Sequence, residues 1–173
     1  MGDFVKLYRP QSKLRFLYGG DKLKDYIFGF EQLPSKGDVL FITGGEKDVL
    51  SLSSHHFNAI CFNSETASIP EPIIESLQLR FRHIVLLYDT DETGLREAER
   101  QAKLLEPYHV FYLRLSLQGT KAEKDISDFF ALGKTEKDLT SLLTEKLSSI
   151  YTHTIMMLQS CEIDYDNPPD ASK

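Results

Sequence analysis

The chain has 173 residues, of which 41% are apolar and 27% charged, and its formal net charge is −6. This length supports one domain with its own core and at most a small appendage. The acidic balance excludes a nucleic-acid binder that works through bulk positive charge. The sequence shows no signal peptide and no membrane-length apolar run, so we expect a cytoplasmic protein without a membrane partner.

The first 37 residues predict a small β-rich lead-in. Alternating runs at 4–8 and 14–18 are separated by a turn-forming stretch, a pattern typical of an antiparallel hairpin. Within an otherwise acidic chain this region collects basic side chains: Lys6, Arg9, Lys13, Arg15, Lys22 and Lys24. We therefore expect residues 1–37 to form a basic lead-in subdomain, whose charges form either a solvated surface or a binding surface.

From residue 38 onward the pattern changes to strands alternating with helices. Apolar strands are predicted at 39–43, 58–62, 83–88 and 110–115, each followed by a segment with helical periodicity. This alternation predicts an α/β domain at 38–133, with a parallel sheet covered by helices on both faces. Residues 134–162 predict a helical extension, and 163–173 read as a linker-like tail. We expect the chain to be a fragment of a longer polypeptide.

Acidic residues follow three of the predicted strands. Asp89 and Asp91 come directly after strand 83–88 and precede a helix. The other acids in equivalent places are Glu46 and Asp48 after the first strand, and Asp125 and Asp128 after the fourth. Ligands of open α/β sheets bind at the carboxyl ends of the strands, and gathered carboxylates there favour a hard divalent cation. For Glu46 and Asp48 helix capping is the simpler alternative.

Two other kinds of site begin with the spacing of Asp89-Thr-Asp91 and have to be weighed. A calcium loop of the EF-hand type would need an acid at its twelfth position, where this chain has Arg100, so that interpretation fails. The spacing of Asp89 and Asp91 also resembles the first motif of haloacid-dehalogenase-type phosphatases. That family places the motif on its first strand and adds a later lysine and acid pair, for which Lys124 and Asp125 are poor substitutes. The phosphatase stays as a rival interpretation.

Three motifs in order resemble the TOPRIM domain, and especially its version in bacterial and phage DNA primases and primase-helicases. They are Val39-Leu-Phe-Ile-Thr-Gly-Gly-Glu46-Lys-Asp48, Asp89-Thr-Asp91-Glu-Thr-Gly94 and Lys124-Asp125-Ile-Ser-Asp128. The resemblance covers about residues 38–130. It implies a Rossmann-like TOPRIM fold, in which a four-stranded parallel sheet is flanked by helices.

The resemblance also implies an activity. It is metal-dependent nucleotidyl transfer in RNA primer synthesis during DNA replication, in a primase of phage or mobile-element type. The implied cofactors are two Mg²⁺ or Mn²⁺ ions. The implied partners are a single-stranded DNA template, ribonucleoside triphosphates, and a helicase domain in the same longer chain.

By the same resemblance, individual residues receive roles. The catalytic candidates are Glu46, Asp48, Asp89 and Asp91. The candidate metal ligands are Asp89, Asp91, Asp125, Asp128 and Glu46. The candidate contacts to nucleotide or nucleic acid are Lys6, Lys22, Lys24, Lys47 and Lys124.

One position departs from the family pattern. Gly44 stands where the family has a glutamate that is thought to act as general acid or base, and glycine cannot transfer a proton. Glu46 or Glu65 are candidate substitutes. Otherwise the domain is a catalytically impaired nucleic-acid-binding module, or it cleaves phosphodiesters as TOPRIM nucleases and topoisomerases do. We expect His55 and His56, where the first helix ends, to be surface or helix-cap residues.

Overall fold

The structure is a computed structural model that describes residues 5–9, 12–14, 16–20, 26–63, 66 and 68–160. Two strands, β1 (Val5–Tyr8) and β2 (Phe16–Gly19), form an antiparallel hairpin. The elements that follow are β3 (Gly37–Thr43), α1 (Glu46–Ser54), β4 (Asn58–Cys61), α2 (Glu71–Gln78), β5 (Phe81–Leu87), α3 (Glu92–Leu104), β6 (Phe111–Tyr112), α4 (Ile126–Ala131) and α5 (Glu136–Ser160). The predicted lead-in hairpin is confirmed, and so is the alternation of strands and helices.

Strands β3 to β6 form one parallel sheet in the order β4-β3-β5-β6. Thr43 at the end of β3 is level with Cys61 of β4 and Leu87 of β5, so three strands end along one line. The chain leaves β3 toward β4 on one side and then crosses to β5 on the other. The switch point between β3 and β5 is where ligands bind in sheets of this kind.

The sheet is buried on both faces, which explains why β3 and β5 are almost continuously apolar. Leu40 and Ile42 of β3 point into a core shared with α2 and α3. Phe41, between them, points into a second core shared with α1, α4 and α5. All three side chains are 0% exposed. The predicted α/β fold, with a four-stranded parallel sheet flanked by helices, is therefore confirmed.

The edge strand β6 is shorter than the predicted strand 110–115. Only Phe111 and Tyr112 pair with β5, and Leu113 adds one backbone hydrogen bond to Leu86. Leu113 and Leu115 are nevertheless buried in the second core. An apolar run marks burial, but it does not show how long the backbone stays in the ladder.

The segment before the sheet holds one bridge and a tight approach of two backbones. Phe28 forms an isolated antiparallel bridge with Cys61. Gly29 follows with φ 86°, and a Cβ there would lie 2.7 Å from the carbonyl oxygen of Ala59. Glycine at this position lets the lead-in pack against β4.

The carboxy-terminal extension is a single helix, α5. Leu139 and Leu143 near its start are buried in the second core, whereas Ile155, Met156 and Met157 are more than half exposed. No helix in the described part of the chain is both long and apolar enough to cross a membrane.

Candidate functional site

Four aspartates meet at the switch point between β3 and β5. Asp48 lies in the first turn of α1, Asp89 follows β5, Asp91 is the N-cap of α3, and Asp125 is the N-cap of α4. Their charges act on one another: Asp125 and Asp89 both raise the pKa of Asp48, and Asp125 and Asp91 raise that of Asp89. Three loops that are far apart in sequence therefore build one acidic cluster, which we define as Asp48, Asp89, Asp91 and Asp125.

The turn from β5 into α3 is shaped by Asp91 and Gly94. The Asp91 carboxylate accepts a hydrogen bond from the Gly94 amide at 2.9 Å, which caps the helix. A Cβ on Gly94 would lie 2.8 Å from both the carbonyl carbon and the Cβ of Asp89, and closer still to its carbonyl oxygen. The glycine of the Asp-x-Asp-x-x-Gly motif is thus needed because the first turn of α3 rests on the Asp89 backbone.

Asp125 and Asp128 divide their roles at the start of α4. They form a capping box: Asp125 accepts from the Asp128 amide at 3.0 Å, and Asp128 accepts from the amides of Lys124 and Asp125 at 2.9 and 3.3 Å. Oδ2 of Asp125 turns instead toward Lys47. The structure therefore gives Asp128 a part in building the turn and points Asp125 into the acidic cluster.

Two lysines lie within the cluster. The ammonium of Lys124 donates to Oδ2 of Asp89 and, at 3.0 Å, to Oδ2 of Asp91. The ammonium of Lys47 lies 2.6 Å from Oδ2 of Asp125 and 3.7 Å from Oδ1 of Asp48. Lys124 thus pairs with two acids from another segment of the chain, whereas Lys47 pairs with Asp125 from another segment and with its own neighbour Asp48. Two of the five lysines predicted to contact nucleotide or nucleic acid, Lys47 and Lys124, therefore lie where the acids converge.

Burial and charge shift the pKa values of these groups. Burial, followed by the charge of Asp125, raises the pKa of Asp48 to about 7. Burial also raises the pKa of Asp89, against the opposing effect of Lys124. Asp91, which is only partly buried, is different, because the Gly94 amide holds its pKa below the ordinary value. Acids that are hard to ionise in a shared cleft are typical of functional sites.

Glu46 makes its contacts on another side of α1. Its two carboxylate oxygens accept from the Lys6 ammonium of β1 at 2.6 and 2.8 Å. Burial raises the pKa of Tyr26, and the nearby charge of Glu46 raises it further. The predicted residues Glu46 and Lys6 therefore contact each other and link the hairpin to the edge of the sheet. Lys22, Lys24 and Glu65 lie outside the described residues.

Two further residues support the cluster, although their sequence positions did not single them out. The hydroxyl of Ser127 lies 3.2 Å from Oδ1 of Asp48 and donates to it. Thr90, which is buried, donates from its amide and its hydroxyl to the carbonyl of Lys124 at 2.7 and 3.0 Å. Both lie inside the motifs, but a motif does not show which way a hydroxyl points.

His55 has a structural role, as predicted for a helix cap. It is the C-cap of α1, its ring stacks on Phe130 with 3.7 Å between centroids, and Nδ1 lies 2.7 Å from Glu136. These contacts join α1 to α4 and α5 and are separate from the acidic cluster.

The donor set of the cluster suits Mg²⁺ or Mn²⁺, because both ions prefer carboxylate oxygens. Asp48 is buried, Asp89 is partly buried, and their charges repel, so a bound cation would relieve a real electrostatic cost. Among the described residues no three acids, histidines or cysteines are already grouped closely enough to hold an ion. Lysine ammoniums stand between the carboxylates instead.

Comparison with known proteins agrees with this fold. The Toprim-like family matches residues 41–130, which contain all four acids of the cluster. No sequence among the curated proteins matches the chain.

Several solved structures share the fold. The primase fragment of the bacteriophage T7 primase-helicase has a TM-score of 0.58 and 22% identity, covering 74% of this chain and 52% of that one. A second structure holds the T7 lagging-strand DNA polymerase with primase domains of gp4 bound to an RNA/DNA hybrid and dTTP. It has a TM-score of 0.56 and 20% identity, covering 74% of this chain and 64% of that one. The DnaG primase catalytic domain bound to single-stranded DNA has a TM-score of 0.59 and 16% identity, covering 78% of this chain and 45% of that one. The chain thus spans about half to two thirds of these chains.

Proposed function

Because this chain belongs to the Toprim-like family and has the fold of primase catalytic cores, we propose that it is the catalytic domain of a DNA primase or primase-helicase. It would join ribonucleotides on a single-stranded DNA template and so make RNA primers for DNA replication. The observation that carries the proposal is the acidic cluster at the switch point, with two lysines among its carboxylates.

The four acids would hold the metal ions of the reaction. Asp89 and Asp91 project from the end of β5, and Asp48 and Asp125 come from the starts of α1 and α4. A bound pair of Mg²⁺ or Mn²⁺ ions would neutralise phosphate charge and align the attacking 3′-hydroxyl with the α-phosphate. Ser127 would keep Asp48 oriented toward that centre, since it donates to Oδ1 of Asp48.

The lysines would bind the phosphates of the substrates. Lys124 and Lys47 reach the centre of the cluster from opposite segments, so each can approach a triphosphate held there. Lys6 lies on the hairpin beside Glu46 and would contact the template backbone from that side. Lys22 and Lys24 belong to the same lead-in, and we propose the same role for them.

Proton transfer is the step for which the chain departs most from its family. Gly44 has no acid, and Glu46 is ion-paired to Lys6. We propose Glu46 as the general base. It would be released from its ion pair when a template phosphate binds Lys6 in its place. Asp48 is the second candidate, because a carboxyl with a pKa of about 7 exchanges protons near neutral pH; in that case Asp89, Asp91 and Asp125 would hold the ions without it.

The Glu46–Lys6 pair, together with Gly44, also supports a second function. A domain without a free general base would bind nucleic acid and metal without joining nucleotides. Primer synthesis by the full chain, incubated with Mn²⁺, labelled ribonucleotides and a single-stranded template, separates the two functions. We expect labelled product that Asp89→Asn abolishes.

The matched control is Asp38→Asn, at an exposed aspartate near the amino end of β3. It makes the same chemical change at the opposite end of the sheet and should leave the yield unchanged. Absence of product from the unaltered chain would favour the binding module. Metal-dependent loss of the input DNA would instead favour a nuclease.

A further inference from the structure

Lys124 lies between the two acids of the Asp-x-Asp motif. Its ammonium donates to Oδ2 of Asp89 and to Oδ2 of Asp91, so one positive charge serves both carboxylates. We propose that Lys124 is an internal counter-cation, which competes with the divalent ion for Asp89 and Asp91 and moves to the nucleotide phosphates when the ion binds. The inference rests on the proposed function and adds an exchange step to it.

The competition follows from the positions of the charges. Oδ1 of Asp91 already accepts from the Gly94 amide, so a metal ion held by Asp91 would need Oδ2, which now accepts from Lys124 as does Oδ2 of Asp89. An ammonium and a divalent cation cannot share the same carboxylate oxygens, because their repulsion at contact distance is strong in a partly buried site. The side chains of Asp89 and Lys124 are 16% and 31% exposed, so solvent screens this repulsion incompletely. The ion can enter only as the ammonium leaves.

The backbone of Lys124 is fixed on both sides, so the exchange needs only its side chain. Its amide donates to Asp128 at 2.9 Å, and its carbonyl accepts from the amide and hydroxyl of Thr90. A lysine stem on an anchored backbone can swing its ammonium by rotation about its own bonds. Lys124 would therefore stay within reach of the site after leaving the two aspartates.

Lys47 does not play the same part. Its side chain is 49% exposed and has one close carboxylate partner, Asp125, with Asp48 further away at 3.7 Å. Lys47 hydrogen-bonds one acid of the cluster, whereas Lys124 hydrogen-bonds two. The inference is limited to Lys124.

The test is a Mn²⁺ titration of the full 173-residue chain, followed by the electron paramagnetic resonance signal of free Mn²⁺. Lys124→Met removes the competing charge and keeps the length of the stem. We expect it to bind Mn²⁺ about tenfold more tightly than the unaltered chain, the order expected from losing two partly exposed ion pairs. Lys121→Met is the matched control, because Lys121 is an exposed lysine in the same loop. It should change the affinity by less than about twofold.

A second measurement tests the transfer to phosphate. With saturating Mn²⁺, Lys124→Met should bind ATP about tenfold more weakly than the unaltered chain, since a charge-assisted contact is lost. Both titrations are repeated with Lys124→Gln. Thermal unfolding of each variant in EDTA shows whether it has folded.

The outcomes separate the inference from the proposed function. Equal or weaker Mn²⁺ binding by Lys124→Met and Lys124→Gln, with normal binding by the unaltered chain, overturns the competition and leaves the metal site in place. Absence of Mn²⁺ binding in every variant overturns both. Binding seen only after Lys124 is replaced supports the inference in its strongest form.

Discussion

Gly94 rests on the backbone of Asp89 with no room for a side chain. A Cβ at position 94 would come within 2.8 Å of the carbonyl carbon of Asp89. The pair sets the distance between the end of β5 and the first turn of α3, and with it the placement of both acids of the Asp-x-Asp motif.

Gly94→Ala should therefore displace α3 from the end of β5. In most helices this change is neutral or stabilising, but overpacking against a backbone costs about 1–3 kcal/mol of unfolding free energy. We expect that loss in urea unfolding, together with weaker Mn²⁺ binding. Gly19→Ala is the control, because no atom lies within 4 Å of a Cβ at that strand position. Equal stability of the two variants would contradict the close approach.

Asp48 should make the fold less stable as pH rises. Its pKa is about 7 in the folded chain against an ordinary value of 3.8, so the folded state holds a proton that the unfolded state has lost between those limits. Stability contributed by that proton is present at low pH and is lost as the pH approaches 7. Asp48→Asn removes this penalty and should stabilise the chain by about 1–3 kcal/mol at pH 8.

The measurement is urea unfolding at pH 5 and pH 8 in EDTA, with Asp38→Asn as the exposed control. The gain from Asp48→Asn should shrink at pH 5, where Asp48 is already mostly protonated in the folded state. A gain of the same size at both pH values would show that ionisation of Asp48 is not its cause.

Ser127 should orient Asp48 for metal binding. Its hydroxyl donates to Oδ1 of Asp48, and loss of a hydrogen bond that orients a ligand typically weakens metal affinity about 10–100-fold. Ser127→Ala should therefore weaken Mn²⁺ binding, and Ser127→Thr, which keeps the hydroxyl, should restore most of it. Ser141→Ala, at an exposed serine on α5, is the control. Equal affinities of the alanine and threonine variants would remove this role.

Glu46→Gln tests the proposed general base. A positioned base contributes about 10²–10⁴-fold to a rate, so nucleotidyl transfer should fall by that order. Mn²⁺ affinity should change little, since Glu46 pairs with Lys6 rather than with the acidic cluster. The control is Glu31→Gln, at an exposed glutamate in the turn before β3. A normal rate of nucleotidyl transfer in Glu46→Gln would show that Glu46 is not the general base and would favour Asp48.

Local sequence was enough to predict the fold and the turn that holds Asp89 and Asp91. Buried parallel strands produce apolar runs such as 39–43 and 83–88, and these are visible without the structure. The Asp91 cap and the need for glycine at position 94 also depend on neighbours within a few residues. Such features follow from chemistry that a short stretch of chain contains.

Only the tertiary structure decided which side chains from distant segments meet. The strand order β4-β3-β5-β6 brings α1, α3 and α4 to one edge, and the rotation of each helix then directs its side chains. This is how Lys124 came to bridge Asp89 and Asp91, and how Glu46 came to face Lys6. Sequence listed these residues as one set of acids and lysines. Their partners depend on packing across the sheet, which no local pattern records.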